Sequence, residues 1–157
     1  MDSVLEATYQ IVLLRPYFAN LGKRLVKRPK LYFLDTGTLC YLVGLRDPAH
    51  AAAGPMAGTI LEAAVVAEVL KGFLHRGEEA PLYFWRTATG IEVDLVVESG
   101  GRLIPIEVQT AATATPAMVR GLRTFCDDFG DRAPRGYLLH PGPPLPLGEG
   151  VTALPFP

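Results

Sequence analysis

The stretch Gly90–Gln109 decides the predicted fold, and it reads GIEVDLVVES followed by GGRLIPIEVQ. Two runs with alternating apolar and polar residues flank the pair Gly100-Gly101. Such a pattern predicts an antiparallel β-hairpin with a two-residue turn. In the first run, Val93, Leu95 and Val97 are predicted to share one face.

The turn also fixes the predicted register of this hairpin. If residues 100 and 101 form the turn, the cross-strand pairs are 99 with 102, 97 with 104, 94 with 107 and 92 with 109. The row Ile104, Ile106 and Val108 then lies on the same face as the apolar row of the first strand. A shift by one residue would mix apolar and polar faces, so this register is strongly favoured.

The register places Asp94 opposite Glu107, with their Cβ atoms about 5 Å apart. Two like charges so close are destabilising unless a cation lies between them or one carboxylate takes a proton. A divalent cation with oxygen ligands would remove the conflict. The alternative is a solvated face on which both acids are tolerated, and spacing alone leaves both interpretations open.

Composition bounds the class of protein. The chain has 157 residues, of which 49% are hydrophobic and 20% charged, which indicates a globular domain with a real core. The net charge of −1 gives no global case for nucleic acid or membrane binding. Residues 15–30 are the exception, because they carry +6 without any acid and leave −7 for the rest. Such a segment could contact phosphates, or be a solvated edge kept from aggregating by its lysines.

Cellular location is inferred from cysteines and hydropathy. Cys40 and Cys126 have no metal-ligand spacing and are predicted to be buried, reduced thiols, as in a cytoplasmic protein. We predict no membrane association, since no apolar run approaches the ~18 residues of a span. No signal peptide is recognisable.

Other elements are predicted from periodicity and turn residues. Helices are expected over 2–14, 38–43, 58–73 and 116–129. Strands are expected over 31–34, 82–85 and 137–139, with a short edge strand at 151–154. Residues 46–55 are predicted to be a loop. Asp35 is interpreted as the cap of the helix that follows it.

The predicted helix Gly58–Phe73 carries a carboxylate in its apolar stripe. Glu62 falls in the middle of that stripe, whereas Glu68 points about 120° away from it. A carboxylate there is expensive to bury unless it is paired, protonated or bound to metal. The alternative is that Glu62 merely favours the positive helix end from an exposed rim.

The order of these elements resembles the PD-(D/E)XK nuclease core. That order is a helix with Glu62, a strand, a hairpin with Asp94 and Glu107-Val108-Gln109, a helix and a strand. The resemblance implies an α/β fold, the restriction-endonuclease-like core, in which a mixed β-sheet is flanked by helices.

The same resemblance implies a set of site residues. Mg²⁺ or Mn²⁺ would be held by Asp94, Glu107, the Val108 carbonyl and, directly or through water, Glu62. The implied catalytic residues are Glu62, Asp94, Glu107 and Gln109. The superfamily expects lysine at position 109, where an ammonium positions the attacking water and stabilises developing charge. Gln109 can orient water but supplies no charge, so the site is weakened.

Four strings together resemble domain-of-unknown-function family 4143, namely Asn20–Arg24, Pro29–Gly37, Leu82–Arg86 and Gly90–Asp94. This resemblance covers nearly the whole chain, and it implies the C-terminal domain of a prokaryotic AAA-type ATPase. The P-loop pattern G-x-x-x-x-G-K-[ST] is absent from the sequence, so the ATPase region would be a missing partner. Residues 1–30 are then an N-terminal helix and basic linker left from an upstream region, and 31–157 the nuclease-like domain.

Two functions compete. In the first, the chain is a metal-dependent DNA phosphodiesterase whose segment Lys23, Arg24, Lys27 and Arg28 contacts phosphates. In the second, the chain is a catalytically inactive module that binds DNA, the ATPase region or another subunit. The near-neutral charge and Gln109 favour the second, whereas Glu62 and the opposed acids favour the first. The oligomeric state stays open, with a homo-oligomer as one alternative.

Overall fold

The computed structural model describes residues 4–18 and 28–156. These residues fall into two units, which we describe separately. The first holds the described residues up to 14 together with residues 29–80. The second holds the described residues of 15–28 together with residues 81–156. The predicted division at residue 30 and the predicted upstream remnant stay predictions.

The first unit combines a strand pair with helices. Its elements are α1 (Val4–Ala7), β1 (Ile11–Pro16), β2 (Lys30–Phe33), α2 (Thr36–Leu42), α3 (Pro48–Ala53) and α4 (Ala57–Leu74). The last two residues of β1 belong to the second unit. Strands β1 and β2 are antiparallel, from Ile11 opposite Phe33 to Leu14 opposite Lys30.

Two predictions in this unit are wrong. The predicted helix over 2–14 ends after α1, and Tyr9 adopts a positive φ of 56° before β1 begins. The β-branched and apolar run from Ile11 pairs with β2, so tertiary pairing overrides the helical pattern. The predicted loop 46–55 contains α3, because Pro48 occupies its first turn and the Asp47 carboxylate accepts a hydrogen bond from Ala49 N at 2.8 Å.

Other predictions in this unit are confirmed. The helix predicted over 58–73 is α4, and Glu68 lies on its exposed side. Asp35 caps α2, and its side chain accepts a hydrogen bond from Thr38 N. That backbone hydrogen bond holds the pKa of Asp35 below its ordinary value. Capping is therefore sufficient to explain Asp35, as the sequence indicated.

The second unit is built on a mixed sheet. Its strands are β3 (Leu82–Arg86), β4 (Glu92–Ser99), β5 (Arg102–Val108), β6 (Gly136–His140), β7 (Leu145–Pro146) and β8 (Val151–Pro155). The order is β3-β4-β5-β6-β8-β7, with the end of β1 parallel to β3 at Arg15 and Pro16. The pairs β3/β4, β4/β5 and β7/β8 are antiparallel, whereas β5/β6 and β6/β8 are parallel. The strand predicted over 151–154 is confirmed as β8, but it lies between β6 and β7, so its predicted position at an edge is wrong.

Helix α5 (Arg120–Phe129) covers one face of this sheet, preceded by a 3₁₀ turn at Pro116–Val119. Its buried face carries Leu122, Phe125 and Phe129, as predicted from the sequence. The Phe125 ring meets Trp85 edge-on at 5.4 Å and stacks on Phe129 at 4.2 Å between centroids. These contacts anchor α5 over β3 and β4.

The α/β class and the mixed, helix-flanked sheet are therefore confirmed. Within the described part of the chain, no helix is long and apolar enough to cross a membrane. Both cysteines are free and half-buried. Burial, followed by the nearby charge of Asp127, raises the pKa of the Cys126 thiol.

Candidate functional site

The predicted hairpin register is confirmed from the turn as far as the pair Leu95 and Ile106. Strands β4 and β5 pair from Ser99 opposite Arg102, through 97 with 104, to Leu95 opposite Ile106. The regular pairing ends there, one residue before the predicted pair of Asp94 with Glu107, which stays a prediction. Both side chains are half-buried. The two acids therefore lie on neighbouring strands, just beyond the last regular pair of β4 and β5.

Asp94 takes part in the sheet itself. Its Oδ2 accepts a hydrogen bond from the backbone N–H of Val108 at 2.9 Å. In an antiparallel ladder with this register, that N–H would be expected to bond a carbonyl of β4. The carboxylate takes the place of the carbonyl, which holds Asp94 beside the segment Glu107-Val108.

A β-bulge lies at the same position. Tyr83 pairs with Val96 and Trp85 with Val93, so Asp94 and Leu95 together face Phe84 alone. Bulges redirect side chains and occur next to sites more often than elsewhere. One consequence corrects the predicted alternation of β4. Val93 and Val96 both pack in the core cluster beneath α5, although the pattern had put them on opposite faces.

The face predicted to be polar is also covered. Val96 is 0% exposed and Leu103 1% exposed, and both pack in the core cluster. Glu107 lies on this covered side, beside Leu138 in the β5/β6 register. Neither acid is fully exposed, and neither is fully buried, so both interpretations of the two acids stay open. Asp94 and Glu107 are held in a partly desolvated environment, where the interaction between their charges is strengthened.

The start of α5 packs directly against this region. A Cβ atom at Gly121 would lie 2.0 Å from the Glu92 carbonyl oxygen and 3.4 Å from Glu107 Oε2. Only glycine allows the helix to approach so closely. The first turn of a helix favours nearby negative charge, so α5 offsets part of the charge on Glu107.

Gln109 continues into the loop at the end of β5. Its backbone N–H donates to Leu139 O at 2.9 Å, which aligns it with the end of β6. The neighbouring His140 is fully buried; its Nδ1 accepts from Gly142 N at 3.3 Å, and Nε2 lies 3.2 Å from Pro143 O. A Cβ at Gly142 would lie 2.0 Å from Ala112 O. These contacts fasten together the loops that follow β5 and β6.

Glu62 belongs to the first unit and has partners there. Lys30 Nζ donates to Glu62 Oε1 at 2.8 Å, and the Tyr32 hydroxyl donates to the same oxygen. The exposed fraction of the Glu62 side chain is 21%. Glu62 is thus neither an unpaired buried carboxylate nor an exposed one at the helix end, since the ammonium of Lys30 from β2 offsets its charge.

The predicted basic segment is described only in part. Lys23, Arg24 and Lys27 lie outside the described residues. Arg28 is exposed, and Lys30 pairs with Glu62. The predicted role of these residues in nucleic-acid binding stays a prediction.

The geometry brings Asp94, Glu107 and Val108 together within the second unit. Among residues 4–18 and 28–156, no group of three or more His, Cys, Asp or Glu side chains is arranged to hold a metal ion. Mg²⁺ is commonly held by one or two carboxylates completed by waters and substrate phosphates. Two carboxylates on neighbouring strands, such as Asp94 and Glu107, fit that mode of binding, and the roles of the Val108 carbonyl and of Glu62 as further ligands stay predictions.

Several residues at these sites were missed from the sequence. Lys30 and Tyr32 lie 32 and 30 residues from Glu62 along the chain, so no local pattern connected them with it. The role of Gly121 could have been predicted from the sequence, because a glycine inside a helical pattern often marks a close packing contact. His140 gave none, since its role depends on loops that close only in three dimensions.

Comparisons with known proteins locate the chain among relatives. Residues 57–157 match the family described as Domain of unknown function (DUF4143), and residues 2–49 match Domain of unknown function (DUF8612). Two relatives are Uncharacterized protein Mb2031c of Mycobacterium bovis and Uncharacterized protein Rv2008c of Mycobacterium tuberculosis. Each is 37% identical over 143 residues, which cover 90% of this chain but 31% of the relative. No solved structure matches the chain.

Proposed function

This chain belongs to the DUF4143 family, and from that premise we propose that it is a nuclease-like domain that acts on DNA phosphodiesters with the help of a divalent metal ion. The observation that carries the proposal is that two half-buried acids, Asp94 and Glu107, lie on neighbouring strands, with the Asp94 carboxylate hydrogen-bonded to the N–H of Val108, the residue after Glu107. The finer fold in this proposal is the PD-(D/E)XK core.

The residues of the hairpin would have different roles in metal binding and in orienting water. Asp94 and Glu107, with the Val108 carbonyl, would hold Mg²⁺ or Mn²⁺, which when bound supplies an activated water and stabilises charge on the phosphoryl oxygens. The Val108 N–H keeps the Asp94 carboxylate in place. Gln109 would orient water through its amide but adds no positive charge.

Metal binding is the first test of this proposal. Wild-type protein titrated with Mg²⁺ or Mn²⁺ in a calorimeter is expected to show saturable binding. Asp94→Asn keeps the side-chain shape but removes the charge, so it should weaken binding at least about tenfold, as ligand-shell changes commonly do. Glu79→Gln, an exposed acid outside the site, is the matched control. Equal metal affinity in wild type and Asp94→Asn would contradict the proposed ligand set.

A second function is favoured by one observation in the first unit. The charge of Glu62 is already offset by Lys30 at 2.8 Å, as expected for a structural ion pair that fastens α4 to β2. In this alternative the chain is a catalytically inactive module that binds DNA or a protein. The proposed partner is an AAA-type ATPase region. The two relatives are long enough to contain such a region, because this chain spans only 31% of their length. A cytoplasmic location is part of both proposals.

The basic segment gives a prediction under either function. Replacing Lys23, Arg24, Lys27 and Arg28 by alanine is expected to flatten the salt dependence of duplex DNA binding. The slope of log affinity against log salt should fall by about 0.9 for each phosphate that the variant no longer neutralises. A salt series of fluorescence anisotropy titrations measures it.

The control for that series is the variant with Lys71→Ala and Arg76→Ala, two exposed cations that pair with Glu68 and Glu78. If the control and the segment variant show the same slope as wild type, the segment does not contact DNA.

A further inference from the structure

A groove of about 800 Å³ lies in the second unit, at the turn end of the β4/β5 hairpin. Its lining combines two arginines with hydroxyl groups and an acid: Ser99, Arg102, Asp131, Arg135 and Tyr137. Asp94 is five residues from Ser99 along β4, which corresponds to about 17 Å. The groove is therefore separate from the opposed carboxylates.

The sheet register brings the two arginines together. Strands β5 and β6 are parallel, with Ile106 beside Tyr137, so the same offset places Arg135 beside Ile104. Because alternate residues share a face, Arg102 and Ile104 lie on the same side of the sheet as Arg135 and Tyr137. Neighbouring strands are about 4.8 Å apart and each residue rises about 3.3 Å, so the two arginine Cα atoms are roughly 8 Å apart. Two guanidinium groups at that spacing can reach one short run of phosphates.

The local charge of the groove is positive. Among the described residues, neither Arg102 nor Arg135 forms an ion pair, whereas the adjacent Arg132 donates to Glu98 at 3.0 Å and to the Tyr17 hydroxyl at 2.8 Å. Asp131 contributes one negative charge, which leaves the lining with a net positive charge. Arginine forks fit phosphate geometry through paired N–H donors.

We propose that this groove binds a single-stranded nucleic acid, with Arg102 and Arg135 on its phosphates and a base on the ring of Tyr137. The proposal rests on the proposed nucleic-acid function and names the form of its substrate. An aromatic ring next to cations is an arrangement that binds single strands, because their unstacked bases are free to stack on protein. Bases inside a duplex already stack on each other and would not reach the ring.

Binding of a short fluorescent oligo(dT) in EDTA tests the groove apart from any cleavage. Replacing Arg102 and Arg135 together by glutamine is expected to reduce the salt slope by about 1.4, or about 0.7 for each phosphate contact on a single strand. Tyr137→Leu should weaken binding about tenfold, whereas Tyr137→Phe, which retains the ring, should bind like wild type. Asp131→Asn should tighten binding because it removes the acid from the lining.

Arg76→Gln is the control for charge, since it removes one exposed positive charge from the other unit. Circular dichroism melts of each variant show that the fold is retained. The proposal is overturned if the double arginine variant binds oligo(dT) like wild type. It is also overturned if a duplex binds more tightly than the single strand, or if inorganic phosphate binds as tightly as the oligonucleotide.

The outcomes separate this inference from the proposed function. If the arginine variants lose oligo(dT) binding while wild type neither binds metal nor cleaves DNA, the groove proposal is supported and the nuclease proposal fails. If wild type binds metal and cleaves DNA while the arginine variants bind and cleave equally well, the groove proposal fails and the nuclease proposal stands.

Discussion

Replacing Gln109 by lysine is expected to raise metal-dependent cleavage of DNA by roughly 10²–10³-fold, the usual effect of one preorganised charge or donor at such a centre. The physical reason is the charge balance beside Gln109. Asp94 and Glu107 place two negative charges in a partly covered region, and Gln109 offsets neither of them. A lysine ammonium would stabilise the negative charge that develops on the phosphoryl group, so its effect appears in the transition state.

Initial cleavage rates of single- and double-stranded DNA with Mg²⁺ or Mn²⁺ measure this effect. The double variant Asp94→Asn with Gln109→Lys is the control, because it should lose the gain while keeping the new ammonium. Gln109→Met tests whether side-chain length alone matters. If Gln109→Lys is inert on both substrates and calorimetry shows no metal binding, the nuclease proposal is rejected in favour of the binding module.

Replacing Gly121 by alanine is expected to lower the free energy of unfolding by about 1–3 kcal/mol, the usual cost of overpacking. The new Cβ would meet the Glu92 carbonyl oxygen at 2.0 Å, a backbone atom that cannot move aside as a flexible side chain could. Helix α5 must then shift away from β4 and from the Glu107 carboxylate. The same substitution should therefore weaken metal binding as well as stability.

Urea unfolding followed by tryptophan fluorescence measures this effect, because Trp85 packs against Phe125 of α5. Gly58→Ala is the matched control, since a Cβ there would meet no atom within 4 Å. That change lies in α4 and should stabilise the protein by up to about 1 kcal/mol by restricting the unfolded chain. If the two substitutions have equal effects, the close approach at Gly121 is not a constraint on the fold.

The hairpin was predictable because its information is local. The pair Gly100-Gly101 fixes the turn, and the period of two fixes which residues face each other. The pairs from Ser99 with Arg102 to Leu95 with Ile106 follow from these two facts alone. The bulge at Asp94 and Leu95 was not predictable, because it depends on how β3 lies beside β4.

Predictions failed where distant pairing decided the structure. Residues 11–14 fit a helical pattern, but they pair with β2, which follows only after a long intervening segment. The partners of Glu62 come from β2, 30 and 32 residues earlier in the chain, and the sequence offers no rule that connects them. For the same reason the arginine pair of the groove was missed, since Arg102 and Arg135 become neighbours only through the parallel pairing of β5 and β6.

The shortness of β7 affects how this protein behaves at high concentration. Strand β7 borders the sheet of the second unit and has two residues, Leu145 and Pro146. Proline has no N–H to donate, and so short an edge offers an incoming strand almost no template. Growth of the sheet by strand addition is therefore blocked at this border, which protects crowded or newly made chains from joining edge to edge into fibrils.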